Sequence, residues 1–184
     1  MNIIARVAAF LLATSLPMED ATAKAKSWPG GGLVVENSEW VEADPQAVWK
    51  AFVEDVDKWW PADFTRGGDP STLSMEATAG GGLHEGEGEG ESRQMTIMFV
   101  VPGKLVRTAA DLGPLRGLDP RGALEWRFDS ESGGTRITLR YRAGDSSPDD
   151  ISEIAQVIAG VQAMQLAGLV TWLDHPSDEY PEAG

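Results

Sequence analysis

The sequence contains no cysteine. That excludes a disulfide framework, a thiol nucleophile and any Cys-ligated metal, while leaving the redox compartment open, because many exported proteins also lack cysteine. Histidine is nearly as scarce. His84 lies in a strand-like stretch and His175 in the C-terminal tail, so neither a His-centred triad nor a two-His metal site is supported. No G-x-S-x-G, P-loop or dinucleotide fingerprint occurs, and hydrolase, kinase and dehydrogenase readings fall together. Basic residues are also few, with 15 Lys and Arg against 29 Asp and Glu and a formal net charge of −14. Nucleic acid is therefore not an expected partner, since its phosphates need Lys and Arg to replace their counterions, and docking on anionic lipid is disfavoured for the same reason. Long apolar runs are missing from the N-terminal half. Residues 7–16 (VAAFLLATSL) are too short to span a bilayer.

What is present at the N-terminus reads as an export signal. Arg6 precedes that apolar run, and Ala21-Thr22-Ala23 is a small-residue cleavage site, with Ala25 as a second choice. Residues 1–23 are thus expected to be a signal peptide, the protein periplasmic or secreted, and stable membrane insertion absent after cleavage. Residues 24–32, ending in Trp28-Pro-Gly-Gly-Gly32, have the composition of a linker. The remaining length suits one domain over residues 33–174, large enough to bury a core without disulfides. Residues 175–184 are polar, contain Pro, and are expected to be a disordered tail.

Within the domain, residues 33–42 (LVVENSEWVE) are rich enough in Val and Trp for a strand. Both of its faces are mixed, which predicts a position near a sheet edge or a bulge. Asp44-Pro45 supplies an N-cap and a first-turn proline for a helix over residues 46–55, extended or restarted by Asp57-Lys-Trp-Trp60 and stopped by Pro61. The pattern then turns to period two. Strands are expected over residues 72–77 and 83–91, over 94–101 with Met95, Ile97, Phe99 and Val101 inward, and over 104–111. After a Pro- and Gly-rich loop at 113–122, further strands are expected over 123–129 (Leu124, Trp126 and Phe128 inward) and 135–143 (Ile137, Leu139 and Tyr141 inward).

The last element, residues 150–174 (DISEIAQVIAGVQAMQLAGLVTWLD), is the one long amphipathic helix. At 100° per residue Ile151, Ile154, Ile158, Val161, Gly168, Leu169 and Trp172 share a broad face, with Val157, Met164 and Leu173 at its edges. Gln165 lies within that face and Gln162 beside it. Whatever covers the helix must satisfy two amides or leave room for water or a ligand. The order of strand, helix pair, six strands and one long helix is an α+β arrangement with helices on one face of an antiparallel sheet.

Val41-Glu-Ala-Asp-Pro-Gln-Ala-Val-Trp49 with the Trp59-Trp60 pair, Gly81-Gly82 followed by Glu85, Val100-Val-Pro-Gly-Lys-Leu-Val106, Leu124-Glu-Trp-Arg-Phe128 and Gly134-Thr-Arg-Ile-Thr-Leu139 carry a resemblance. From about residue 34 to 173 the chain resembles the START-like or SRPBCC superfamily, within it the group similar to the activator of Hsp90 ATPase and the polyketide cyclase/dehydrase-like proteins. The resemblance implies a helix-grip fold, in which a curved sheet wraps the C-terminal helix around a hydrophobic cavity. Members bind lipids, sterols, polyketides or plant hormones, and a minority are enzymes.

Read this way, the chain is expected to bind a small hydrophobic or amphipathic molecule. The expected lining is Met95, Ile97, Trp126 and Tyr141 from the sheet and Met164, Gln165 and Leu169 from the helix, joined by Trp49, Phe52 and Trp60. Glu85 is added as an inward polar group because it matches the family position beside the cavity. The rival from another class is a cyclase or dehydratase on a polyketide-like substrate, with Glu85 as general base and Tyr141 or a Trp as donor. A partner module similar to an Hsp90 ATPase activator comes only from the group's name, and the export signal counts against it. Glu85, Glu87, Glu89 and Glu91 would share one face if extended, but they lack the turns and carbonyls of a calcium loop and read first as an exposed acidic hairpin. No metal or cofactor is expected, and the protein should be a monomer or weak dimer.

Overall fold

The computed structural model describes residues 24–28, 32–87, 90–109, 122–143 and 151–175. The expected signal peptide, most of the loop expected at 113–122 and all of the expected tail beyond His175 lie outside the described residues. Among the described residues eight strands, β1 (Lys24–Trp28), β2 (Gly32–Val41), β3 (Leu73–Met75), β4 (Gly82–Glu87), β5 (Gly90–Val101), β6 (Leu105–Ala109), β7 (Gly122–Glu131) and β8 (Gly134–Ala143), are accompanied by helices α1 (Pro45–Glu54), α2 (Val56–Trp59) and α3 (Ile151–Asp174). The strands form one antiparallel sheet in the order β1-β2-β8-β7-β6-β5-β4-β3. The curved sheet carries the helices on its inner face, and α3 lies across β2 and β8.

Local chemistry explains the main elements. Asp44 caps α1, its carboxylate accepting from the Gln46 and Ala47 amides at 2.8 and 3.1 Å, with Pro45 in the first turn where a missing N–H is harmless. The β7–β8 hairpin closes Glu131 against Gly134, leaving two turn residues, Ser132 at φ 52° and Gly133 at φ 83°. Two left-handed residues in succession match the twist of the flanking strands, which is why glycine stands at one of them. On β7 and β8 the alternation holds as expected. Leu124, Trp126, Phe128, Ile137, Leu139 and Tyr141 are all buried.

Three expectations need correction. Residues 24–28, expected within a linker, form β1 and pair with β2 from Lys24↔Glu36 to Trp28↔Gly32. β2 is thus second from the sheet edge, near it as expected, with the period-two burial of Leu33, Val35 and Asn37, and the edge itself is β1. On β5 the inward set stops at Ile97. The register against β6 shifts between Ile97 and Phe99, so Phe99 and Val101 turn outward, 49 % and 37 % exposed. One extra residue in a strand exchanges its two faces. The single strand expected over 83–91 is also divided between β4 and β5, while the hairpin reading of the acidic run holds: Glu87 pairs with Gly90 and Glu85 with Ser92, with Glu85 inside and Glu91 on the exposed side against His84.

The buried side of α3 comprises Ala155, Ile158, Val161, Gln162, Gln165, Leu166 and Leu169: Ile158, Val161 and Leu169 of the face read from the sequence are buried, Gly168 and Trp172 are half-buried, and Ala155 and Leu166 are added. The stretch Ala155–Asp174 is long and apolar enough to cross a membrane by composition, but here that face lies against the sheet. Asn37 on β2 ties the two layers, its amide donating to the Ala159 carbonyl at 2.7 Å. Near the other end Trp172 donates to Asp55 at 3.1 Å, and a methyl group added at Gly168 would lie 2.3 Å from the Trp59 carbonyl oxygen. That close approach sets how near α2 comes to α3. In a free helix Gly→Ala adds roughly 1 kcal/mol of stability. Here Gly168→Ala is expected to lower the denaturant midpoint by roughly 1–3 kcal/mol, because the atom it meets is backbone. A raised midpoint would show that α2 yields at this contact.

Candidate functional site

The aromatic residues divide by what their polar ends do. Phe52 sits at the centre of a packed group, with ring centroids 5.7 Å from Trp59, 5.0 Å from Trp126 and 5.1 Å from Phe128. Trp49, half-buried, meets Phe128 edge-on at 5.9 Å. These contacts are core packing between α1 and β7, so Trp49 and Phe52 support the site from behind. Trp59 is satisfied as well, donating its indole N–H to the Ala51 carbonyl at 3.1 Å. Trp126 and Trp60 differ. Both are buried, at 0 % and 5 % exposure, and neither indole N–H has a hydrogen-bond partner.

Those two N–H groups belong to a larger set. The Tyr141 hydroxyl, both amide atoms of Gln162 and the Gln165 Oε1 are also buried without partners, as is the Asn37 Oδ1. The topology places several of them on neighbouring elements. Leu139 on β8 has Asn37 beside it on β2 and Trp126 beside it on β7, while Tyr141 follows two residues along on the same face. Ala159, which Asn37 holds, is one turn before Gln162 and two before Gln165 and Leu166 on α3. Trp59 packs against Trp126 at 5.7 Å and against Trp60 at 5.3 Å, closing the side nearest α2. The Tyr141 ring is further located by Gly122, where a Cβ would come within 2.8 Å of the hydroxyl oxygen.

Burial pushes the Tyr141 phenol up from 10.0 to about 12, so at neutral pH it stays protonated, able both to donate and to accept. An unpaired buried amide or hydroxyl costs about 1–3 kcal/mol. Several together are a large fraction of a typical total stability of roughly 5–15 kcal/mol. Such a set is out of place in a dry core and suits a surface that presents hydrogen bonds to something between sheet and helix.

The other sequence-expected residues are also placed. Met95, Ile97 and Leu169 are buried and Met164 is half-buried. Glu85 is inward and 1 % exposed, but its carboxylate is already engaged. One oxygen accepts from the backbone N–H groups of Arg66 at 2.7 Å and Gly67 at 3.2 Å, and the other accepts from the Gln94 side chain. It pins the loop after α2 to β4, a structural duty that leaves it unlike a free general base. Asn37 was missed by sequence reasoning, although an Asn at an inward position of a Val-rich strand was the available signal. Among the described residues no group of three or more His, Asp or Glu is arranged to hold a metal ion.

No protein-family model matches the sequence, and no curated protein matches it. Solved structures do match in shape. SSP2350 from Staphylococcus saprophyticus aligns at a TM-score of 0.56 and 18% identity, covering 82% of this chain and 97% of that one. CalU16 from Micromonospora echinospora aligns at 0.53 and 16% identity over 89% and 87% of the two chains. The Aha1 dimer from Colwellia psychrerythraea aligns at 0.52 and 13% identity over 77% and 96%. This is a helix-grip fold. At these identities the likeness establishes the fold alone, and the helix-grip geometry gives no chemistry by itself.

Two outcomes follow for the polar residues. The raised phenol contributes stability that is complete below pH 10 and is lost as pH rises toward about 12, because the unfolded chain ionises first. Tyr141→Phe should therefore flatten this alkaline loss, by roughly 2–3 kcal/mol between pH 9 and 12; identical pH–stability curves for variant and wild type would show the phenol to be solvated. Glu85→Leu should cost about 2–4 kcal/mol in a chemical melt by stranding three donors. A neutral result would mean that the loop at Arg66 and Gly67 finds water instead.

Proposed function

We propose that this protein binds a small amphipathic molecule between the inner face of the sheet and α3. The observation that carries the reading is that Trp126 on β7, Tyr141 on β8 and Gln162 and Gln165 on α3 each bury polar atoms without a hydrogen-bond partner. Small-molecule sites have this composition, mostly apolar and aromatic walls with a few polar groups that fix orientation. The apolar part of the ligand would lie along Met95, Ile97, Met164 and Leu169, and its polar end would meet the four groups named.

Binding is preferred to cyclase or dehydratase chemistry because the acid–base role that an enzyme would assign to Glu85 falls on a carboxylate already accepting from three protein donors. CalU16 and Aha1 share the architecture, and ligand identity passes from neither to this chain.

The test replaces Gln165 by Leu. In a filled core the change removes a costly buried amide and adds apolar contact, so stability should rise or stay level and nothing else should change. If Gln165 faces a bound ligand, folding should be nearly untouched while affinity for a neutral fluorescent probe such as Nile red falls by roughly 1 kcal/mol. The measurements are a denaturant midpoint and a probe titration on both proteins. A raised midpoint with unchanged probe affinity would remove Gln165 from the site, and failure of the wild type to bind any probe would remove the binding reading.

A further inference from the structure

Resting on that binding reading, we infer that the site recognises an uncharged ligand end bearing a carbonyl, most simply a ketone, quinone or amide, and discriminates against carboxylates and ammonium groups. The first ground is which side chains are buried. Among the described residues, every polar residue in the interior is Asn, Gln, Thr or Glu, and no Lys, Arg or His is buried. The arginines of the sheet are engaged elsewhere. Arg107 and Arg127 pair with Glu125, Arg140 with Glu36 and Arg136 with Glu131, on residues that alternate with the buried set of β7 and β8 and so belong to the outer face. A carboxylate entering beside Trp126 would leave water without meeting a cation, inside a protein whose net charge is already −14. Desolvation of an unpaired ion is the largest penalty the interior can impose.

The second ground is the sense of the unpartnered groups. Trp126 and Trp60 present N–H groups that can only donate, so the ligand must bring an acceptor. An ammonium has no lone pair to offer them. The Tyr141 hydroxyl, still protonated at neutral pH, can donate to the same acceptor or receive from a ligand hydroxyl, and the Gln165 oxygen can only accept. Ligand acceptors facing the indoles and the phenol, with a hydroxyl or N–H for the glutamines, would satisfy the set. A neutral carbonyl compound supplies this without placing a charge in the interior.

The experiment uses the full chain at neutral pH with Nile red as reporter and three competitors of one ring size, methyl naphthyl ketone, naphthoate and naphthylmethylammonium. The ketone should displace Nile red at concentrations at least about tenfold below either ion. Gln162→Leu and Trp126→Phe, each verified as folded by its denaturant midpoint, should shrink the advantage of the ketone by about fivefold while leaving the two ions unchanged. Naphthoate or naphthylmethylammonium displacing as well as the ketone would overturn the inference and leave the binding reading standing, as would Nile red that binds but yields to none of the three. An advantage of the ketone that survives both substitutions would overturn the assignment to these groups. Nile red that fails to bind the wild type would overturn the binding reading, and this inference with it.

Discussion

The structure depends on how the buried side of α3 is covered. A helix of 24 residues with a broad apolar face cannot stand in water, and the sheet and α2 hold its cover at two fixed points. One is the Asn37 amide on the Ala159 carbonyl, and the other is the contact of Gly168 with the Trp59 backbone. Between them lie Gln162 and Gln165, where the interior departs from plain hydrophobic packing. The helix is therefore held by its middle and by its C-terminal half, and the stretch between the attachments is where the fold can tolerate atoms that packing alone would refuse. Trp59 links the two roles. It meets Gly168 with its backbone, satisfies its indole on α1, and backs Trp126 with its ring.

On the sheet the same economy appears in the alternation of β7 and β8. Their inward residues build the floor of the site, while their outward residues form an ion-paired surface around Glu125. Burial pushes the Glu125 carboxyl up, but hydrogen bonds from Arg107 and Arg127, with the charge of both, more than offset this and hold it below the ordinary range. With cations fastened to carboxylates on their outer face, the inner face of β7 and β8 is left to neutral groups, which is the electrostatic character that the ligand inference rests on.

Much of this was legible in the sequence where periodicity speaks. The strands β7 and β8, the capped start of α1 and the intrusion of Gln165 into the apolar face of α3 all follow from counting residues, because side-chain direction is set by a fixed period. What was not legible depends on partners far along the chain. The bulge that turns Phe99 outward reflects the register against β6, and no residue near Phe99 announces it. Glu85 was correctly placed inside by resemblance, yet its occupation by Arg66, Gly67 and Gln94 needed coordinates, since two of those donors are backbone groups that any residue would supply. β1 was lost among glycines, its Lys-Ala-Lys-Ser-Trp alternation too short to outweigh the neighbouring Pro-Gly-Gly-Gly.

That first strand matters for how the molecule behaves in a crowd. An open sheet ends in two rows of unpaired backbone groups, each a template for a stray chain. Among the described residues one margin is β3, a strand of three residues that offers little to copy, and the other is β1, a strand of five. Shortness at both borders discourages edge-to-edge growth. Without β1 that second border would fall on the ten-residue, valine-bearing β2, and the protein would gain a far more adhesive flank.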